Sequence, residues 1–196
     1  MANHYVKAVL AGICISIGCN VYLACDNRYI GAILFATGLI TILLFDLNLY
    51  TGKVGYIVNN KPDFIKTVDV ILMGNILGCI ITGLCFPSEL ATVLCENKLQ
   101  TPFIDIFYKS IMCGLLMFIA VDAYKIHKTF IPAIFCVATF ILSGYEHSIA
   151  NVAYLIMGRV ITLKSLIFIL IVIIGNAIGG MIIPAFNKLL TTQQND

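Results

Sequence analysis

His147 and Glu146 stand side by side in the string Ser143-Gly144-Tyr145-Glu146-His147-Ser148, with apolar residues on both flanks. An ionisable side chain inside an apolar span is costly and reads first as a functional group. An imidazole titrates near neutral pH and can both donate and accept a proton, so His147 suits a pore that passes a small ionisable solute. Glu146 reads better as structural, because a chain break here exposes backbone N–H groups that a carboxylate can satisfy. Ser148 and Asn151 add polar groups to the same break. A second polar interruption follows another apolar run and carries Asp46, Asn48, Tyr50, Thr51 and Gly52. Thr51 can cap the helical segment after it, its hydroxyl can bond to His147, and the two roles are compatible.

Phe35 and Leu39 lie four apart, on one helix face, just before the first interruption, and Phe140 precedes the second. Apolar rings beside a polar centre would form a desolvating constriction, although periodicity alone favours plain core or lipid contact. Lys98 and Lys109 fall toward one mouth and, taken singly, read as solvated or snorkelling cations. No other His or carboxylate lies at helical ligand spacing from His147, so neither a metal site nor a membrane enzyme built on Glu146 and His147 is expected. No nucleotide, zinc-protease or dinucleotide fingerprint is present, and no cofactor is expected.

These residues must be positioned by membrane helices. Of the 196 residues 60% are apolar and 11% charged, and mean hydropathy is +0.99, whereas a soluble domain carries roughly 25% charged residues. A helical span needs ~20 mainly apolar residues. Spans are predicted at 5–25, 29–49, 67–87, 103–124, 129–158 and 163–186, and the longest connection runs from Ser88 to about Pro102. The reading is an all-α integral membrane protein whose residues 1–196 make a single transmembrane channel domain in the lipid bilayer. The first span lacks the basic cluster and cleavage site of a signal peptide and is kept as a mature helix. A net charge of +2 is too small to suggest nucleic acid. The eight cysteines, Cys14, Cys19, Cys25, Cys79, Cys85, Cys95, Cys113 and Cys136, form no C-x-x-C pair and read as small buried hydrophobes. With the N-terminus cytoplasmic, Lys7, Lys53, Lys61, Lys66, Lys125, Lys128 and Lys188 fall inside. Arg28, Lys98, Lys109, Arg159 and Lys164 then fall outside. The excess favours both termini inside, in the cell (inner) membrane.

The chain also repeats itself. KAVLAG at 7–12 matches KSIMCG at 109–114, IGAIL at 30–34 matches IPAIF at 131–135, and GNILG at 74–78 matches GNAIG at 175–179. A recurrent small-residue packing motif explains one such pair but not three in the same order. Two halves of three spans each, about 5–87 and 103–187, must be inverted relative to one another, because three is odd. Inverted repeats are a transporter and channel architecture, with the site near the midplane where helices 2 and 5 break. Such breaks would aim their N-terminal amides at an anion.

At these residues the chain resembles the formate–nitrite transporter family. The match lies in SGYEHSIAN at 143–151, in FATGLITILLFDLNLYTG at 35–52, and in the paired Gly-Asn-x-x-Gly strings. The resemblance implies an aquaporin-like homopentamer with one pore per protomer. It implies small monovalent weak-acid anions: formate, nitrite, acetate, lactate or hydrosulfide. By position, His147 matches the central pore histidine and Thr51 the threonine facing it. Leu39, Leu49 and Tyr50 match an inner constriction, Phe35 and Phe140 an outer one, and Lys98 the basic residue of the outer vestibule. Asn48, Glu146, Ser148 and Asn151 would support the helix breaks. The family's amphipathic N-terminal segment and its lysine have no counterpart ahead of the first span. Gly114 stands where the family often has a pore-facing asparagine, which implies a lost polar contact and a wider site. A neutral-solute pore of the aquaporin type is the rival reading, and its twin Asn-Pro-Ala strings are absent.

Overall fold

The structure is a computed structural model that describes residues 2–193. Every regular element among the described residues is helical: α1 (Ala2–Ala24), α2 (Arg28–Leu44), α3 (Tyr50–Lys53) running into a 3-10 turn at Val54–Asn59, α4 (Phe64–Cys85), α5 (Glu89–Gln100), α6 (Phe103–His127), α7 (Ile131–Leu142), α8 (Ser148–Met157) and α9 (Leu163–Gln193). Helices α1, α4, α6 and α9 are long and apolar enough to cross a membrane. At 1.5 Å per residue each exceeds the ~30 Å hydrocarbon layer. The remaining apolar helices α2, α7 and α8 are shorter, because polar breaks cut the second and fifth predicted spans. α4 packs along α1 and α9 along α6, while α2 lies on α7 and α4 on α8.

The two breaks have one geometry. After α2 the Asp46 N–H donates to the Leu43 carbonyl and the Leu47 N–H to the Ile42 carbonyl, with Asp46 at φ 47. After α7 the Gly144 N–H donates to the Ile141 carbonyl and the Tyr145 N–H to the Phe140 carbonyl, with Gly144 at φ 65. This is the Schellman ending, in which a left-handed residue turns the chain out of the helix while satisfying its last carbonyls. In the first half an aspartate holds that conformation, and Lys7 ties its carboxylate at 2.8 Å. Two residues on, the chain is caught again in matching ways: the Asn48 N–H donates to the Lys7 carbonyl and the Glu146 N–H to the Lys109 carbonyl.

The stretch expected as the longest connection is helix α5. Ser88 caps it by accepting the Ala91 N–H, and Ala91, Cys95 and Leu99, spaced at four, form its buried stripe. Its polar face hid it from a search for apolar runs. The cysteines are free thiols, with Cys19, Cys79, Cys95, Cys113 and Cys136 buried.

Candidate functional site

Two asparagines hold the breaks open. Asn75, on α4, accepts the Tyr50 N–H and donates to the carbonyls of Ala8 and Asn48, at 2.8, 2.8 and 2.9 Å. Asn176, on α9, accepts the Ser148 N–H and donates to the carbonyls of Ser110 and Glu146, each at 2.8 Å. Both side chains are fully buried. Each therefore serves as an internal substitute for water at its break, closing one N–H and one carbonyl that the broken helix leaves without partners and tying them to the Ala8 or Ser110 carbonyl of a neighbouring intact helix. The amides of Tyr50 and Ser148, which the sequence offers to an anion, are thus already bonded to protein.

His147 is the N-cap of α8. Its Nδ1 accepts the Ala150 N–H at 3.1 Å. A ring nitrogen that accepts carries no proton, so the proton of the neutral imidazole sits on Nε2. Nε2 is 3.0 Å from Thr51 Oγ1, and Nε2–H donates to that oxygen, leaving the Thr51 hydroxyl proton free to be donated onward. Phe140 stacks on the imidazole, with ring centroids 5.5 Å apart and an angle of 25°. Phe35 meets Phe140 edge-on at 5.7 Å and 89°. The pair of polar side chains is walled by aromatic surface, and His147 and Thr51 are buried at 2% and 0% exposure.

A cavity lies on each side of this centre. One, of about 310 Å³, is lined by Phe35, Phe140 and His147 at its floor and by Arg28, Lys98 and Lys109. The other, of about 290 Å³, is lined by Ile42, Leu49, Gly52, Lys53, Lys125 and Lys128. Arg28 and Lys109 belong to the N-terminal parts of α2 and α6, whereas Ile42 and Lys125 belong to their last turns. The cavities therefore open at opposite ends of the bundle. Thr51 and Leu39 line neither cavity and are fully buried.

Glu146 does not serve the backbone of the break, which Asn176 closes. Its carboxylate accepts from Asn151 Nδ2 at 2.8 Å and from Lys98 Nζ. Lys98 is accordingly an ion-paired, largely covered residue, not the solvated cation that its isolation in sequence suggests. Helix α5 makes the difference by carrying Lys98 inward. Asn48 turns its amide to the His4 carbonyl. The Tyr50 hydroxyl donates to the Ile173 carbonyl of α9 and lines neither cavity. Ser148 Oγ is the one buried side-chain oxygen or nitrogen without a partner among the described residues. Gly114 faces α9, where a Cβ would collide with the Asn176 carbonyl oxygen, as a Cβ on Gly12 would collide with that of Asn75. It is a helix-contact residue, and its lack of a side chain does not widen a pore.

Asn75 and Asn176 are the residues that sequence reasoning passed over. The signal was present in the repeated Gly-Asn-x-x-Gly, since an amide fixed between glycines in two apolar spans needs buried partners. Comparison with curated proteins by sequence finds no match. Among solved structures, an FNT family ion channel is similar at a TM-score of 0.88 and 19% identity, covering 97% of this chain and 90% of that one. A pentameric formate channel with formate bound is similar at a TM-score of 0.79 and 22% identity, covering 98% and 97%. These likenesses concern the fold. The family model for the formate/nitrite transporter matches residues 1–189, and with that match over nearly its whole length the chain belongs to the formate/nitrite transporter family.

Proposed function

We propose that the protein is a channel, not an enzyme, for small monovalent anions of weak acids such as formate or nitrite, with hydrosulfide, acetate and lactate in the same class. His147 and Thr51 form the pore centre. Phe35 and Phe140 make the constriction on one side and Leu39 and Leu49 that on the other, beside Tyr50. Lys98 and Lys109 dress the outer vestibule. The observation that carries this reading is the buried His147–Thr51 bond of 3.0 Å, with a cavity that reaches His147 from one end and a second that stops at Leu49 and Gly52, beside Thr51, from the other.

A bare anion between apolar rings loses its hydration without replacement. Lys109 and Arg28 at the mouth, whose charges no carboxylate offsets among the described residues, raise its local concentration. As it nears the rings, desolvation favours its neutral acid, which forms when the anion takes a proton from the aqueous vestibule. The acid then meets a Thr51 hydroxyl that can donate to it. The cap bond from Ala150 to Nδ1 favours this route over a cationic ring, because a second proton on the imidazole would have to displace that N–H. The equivalent Schellman endings and asparagine closures support inverted halves. Lys7 at the start of α1 sits by Asp46, at the end where Lys125 finishes α6, so α1 and α6 run in opposite senses. We further propose a homopentamer in the cell inner membrane with both termini cytoplasmic. The pentameric neighbour supports the assembly and the lysine distribution supports the orientation.

Uptake into proteoliposomes of formate, nitrite, acetate, lactate, hydrosulfide, chloride and glycerol, offered separately at two pH values, tests the function. Weak-acid flux should rise as pH falls, by up to about tenfold per pH unit for an acid whose pKa lies well below the pH. His147→Phe should abolish that flux or flatten its pH profile. An unchanged profile would remove His147 from the mechanism, and glycerol passage without weak-acid uptake would turn the assignment to a neutral-solute pore.

A further inference from the structure

The two cavities differ in how their cations are engaged. On the His147 side, Lys98 is paired with Glu146 and Arg28 donates to the Leu142 carbonyl, which leaves Lys109 as the single lysine of that lining without a carboxylate among the described residues. On the other side, Lys53, Lys125 and Lys128 all line one cavity of about 290 Å³. Among the described residues no carboxylate oxygen lies within 4.0 Å of their ammonium groups. Aspartate enters that lining once, as Asp46, and Lys7 from α1 already holds it at 2.8 Å. Asp122, the other carboxylate within electrostatic reach of Lys125, accepts the Tyr56 hydroxyl at 2.8 Å. Lys125 lies over the Tyr56 ring at 3.5 Å and Lys128 near the Tyr124 ring at 5.6 Å from its centroid, so aromatic faces, not carboxylates, hold two of the three. Three like charges around one hollow repel one another, and an anion among them relieves all three repulsions at once.

We propose that this lysine-lined cavity binds a small doubly charged anion, of the phosphate or dicarboxylate class, and holds it at the mouth without passing it. The attraction of three cations grows with the charge of the guest, so a dianion is favoured over the monovalent anions assigned to the pore. One proton turns a monovalent anion into a neutral acid, but leaves a dianion charged and excluded by the apolar side chains of Leu39 and Leu49. The guest would therefore plug the pore from this end. This blocking role rests on the channel reading above; the binding site does not.

Isothermal titration of the purified full chain in phosphatidylcholine nanodiscs with inorganic phosphate, at constant ionic strength held with potassium chloride, reads the site without transport. Saturable binding is expected, weakened about fivefold by each of Lys53→Gln, Lys125→Gln and Lys128→Gln, since a partly exposed charge contact contributes up to about 1 kcal/mol. Lys66→Gln, which removes the same charge outside the cavity, should leave it unchanged. Displacement of phosphate by succinate assigns the occupant to soluble dianions, and its loss in nanodiscs containing phosphatidic acid assigns it to a lipid headgroup; either supports the site. Absence of saturable binding, or equal loss with Lys66→Gln, overturns it. In proteoliposomes, phosphate on the lysine side should reduce monovalent flux. Normal flux that phosphate leaves untouched overturns the plug while sparing the channel, whereas a protein that conducts nothing yet binds phosphate sinks the channel and not the site.

Discussion

Asn176 closes the Ser148 N–H and the Glu146 carbonyl of the break and adds a second donor to the Ser110 carbonyl inside α6, and removing the amide leaves the two groups of the break buried without partners. Each such group costs about 1–3 kcal/mol, so Asn176→Ala should lower thermal stability in detergent by several times the effect of a typical core truncation of one methyl. Asn176→Asp should fare little better, because it keeps the acceptor for Ser148 but sets an oxygen against the carbonyls of Ser110 and Glu146. Recovery of full stability in the aspartate variant would show that the Ser148 bond alone matters. The bond between His147 and Thr51 was legible from their types, since an imidazole and a hydroxyl at two facing polar breaks can meet each other's hydrogen-bonding groups. The asparagines were not, because the partners of each are backbone atoms from two other segments and leave no side-chain pattern to read.

At the scale of elements, small residues set how closely helices approach. Gly114 lets α6 lie against the backbone of α9 at Asn176, so Gly114→Asn should separate the two helices and abolish a monodisperse peak in size-exclusion chromatography. Gly144 makes the control. It sits at φ 65, and a Cβ there would meet nothing within 4 Å; asparagine tolerates the left-handed region better than other residues. Gly144→Asn should elute as the parent protein does, and if both variants elute normally, the helix contact at Gly114 is not the constraint described. Apolar runs and their interruptions announced the long helices and both breaks. They could not reveal α5, whose buried stripe of Ala91, Cys95 and Leu99 alternates with Glu89, Glu96, Asn97 and Lys98. Nor could they orient Gly114, because which face of a helix meets a neighbour depends on where that neighbour lies.

At the scale of the whole molecule, the bonds that close the breaks and the bonds that join the halves are different sets. Asn75 finds all its partners before residue 101, and Asn176 finds all of its own after it. Between the halves run the Thr51–His147 bond, the Lys98–Glu146 pair, the Tyr50 bond to Ile173 and the apolar faces of α2 on α7 and α4 on α8. The three repeated strings pointed to two halves without coordinates, whereas the contacts between halves follow from docking and have no counterpart in sequence. Covalent continuity between Thr101 and Pro102 is then dispensable. Fragments 1–101 and 102–196, co-expressed, should reassemble in the membrane and carry the flux of the intact chain, while either alone should be degraded. Fragments that never co-purify would mean that the link itself brings the halves into register. A protein whose two pieces each close their own helix break before they meet could have arisen from a shorter chain that paired with a second copy of itself.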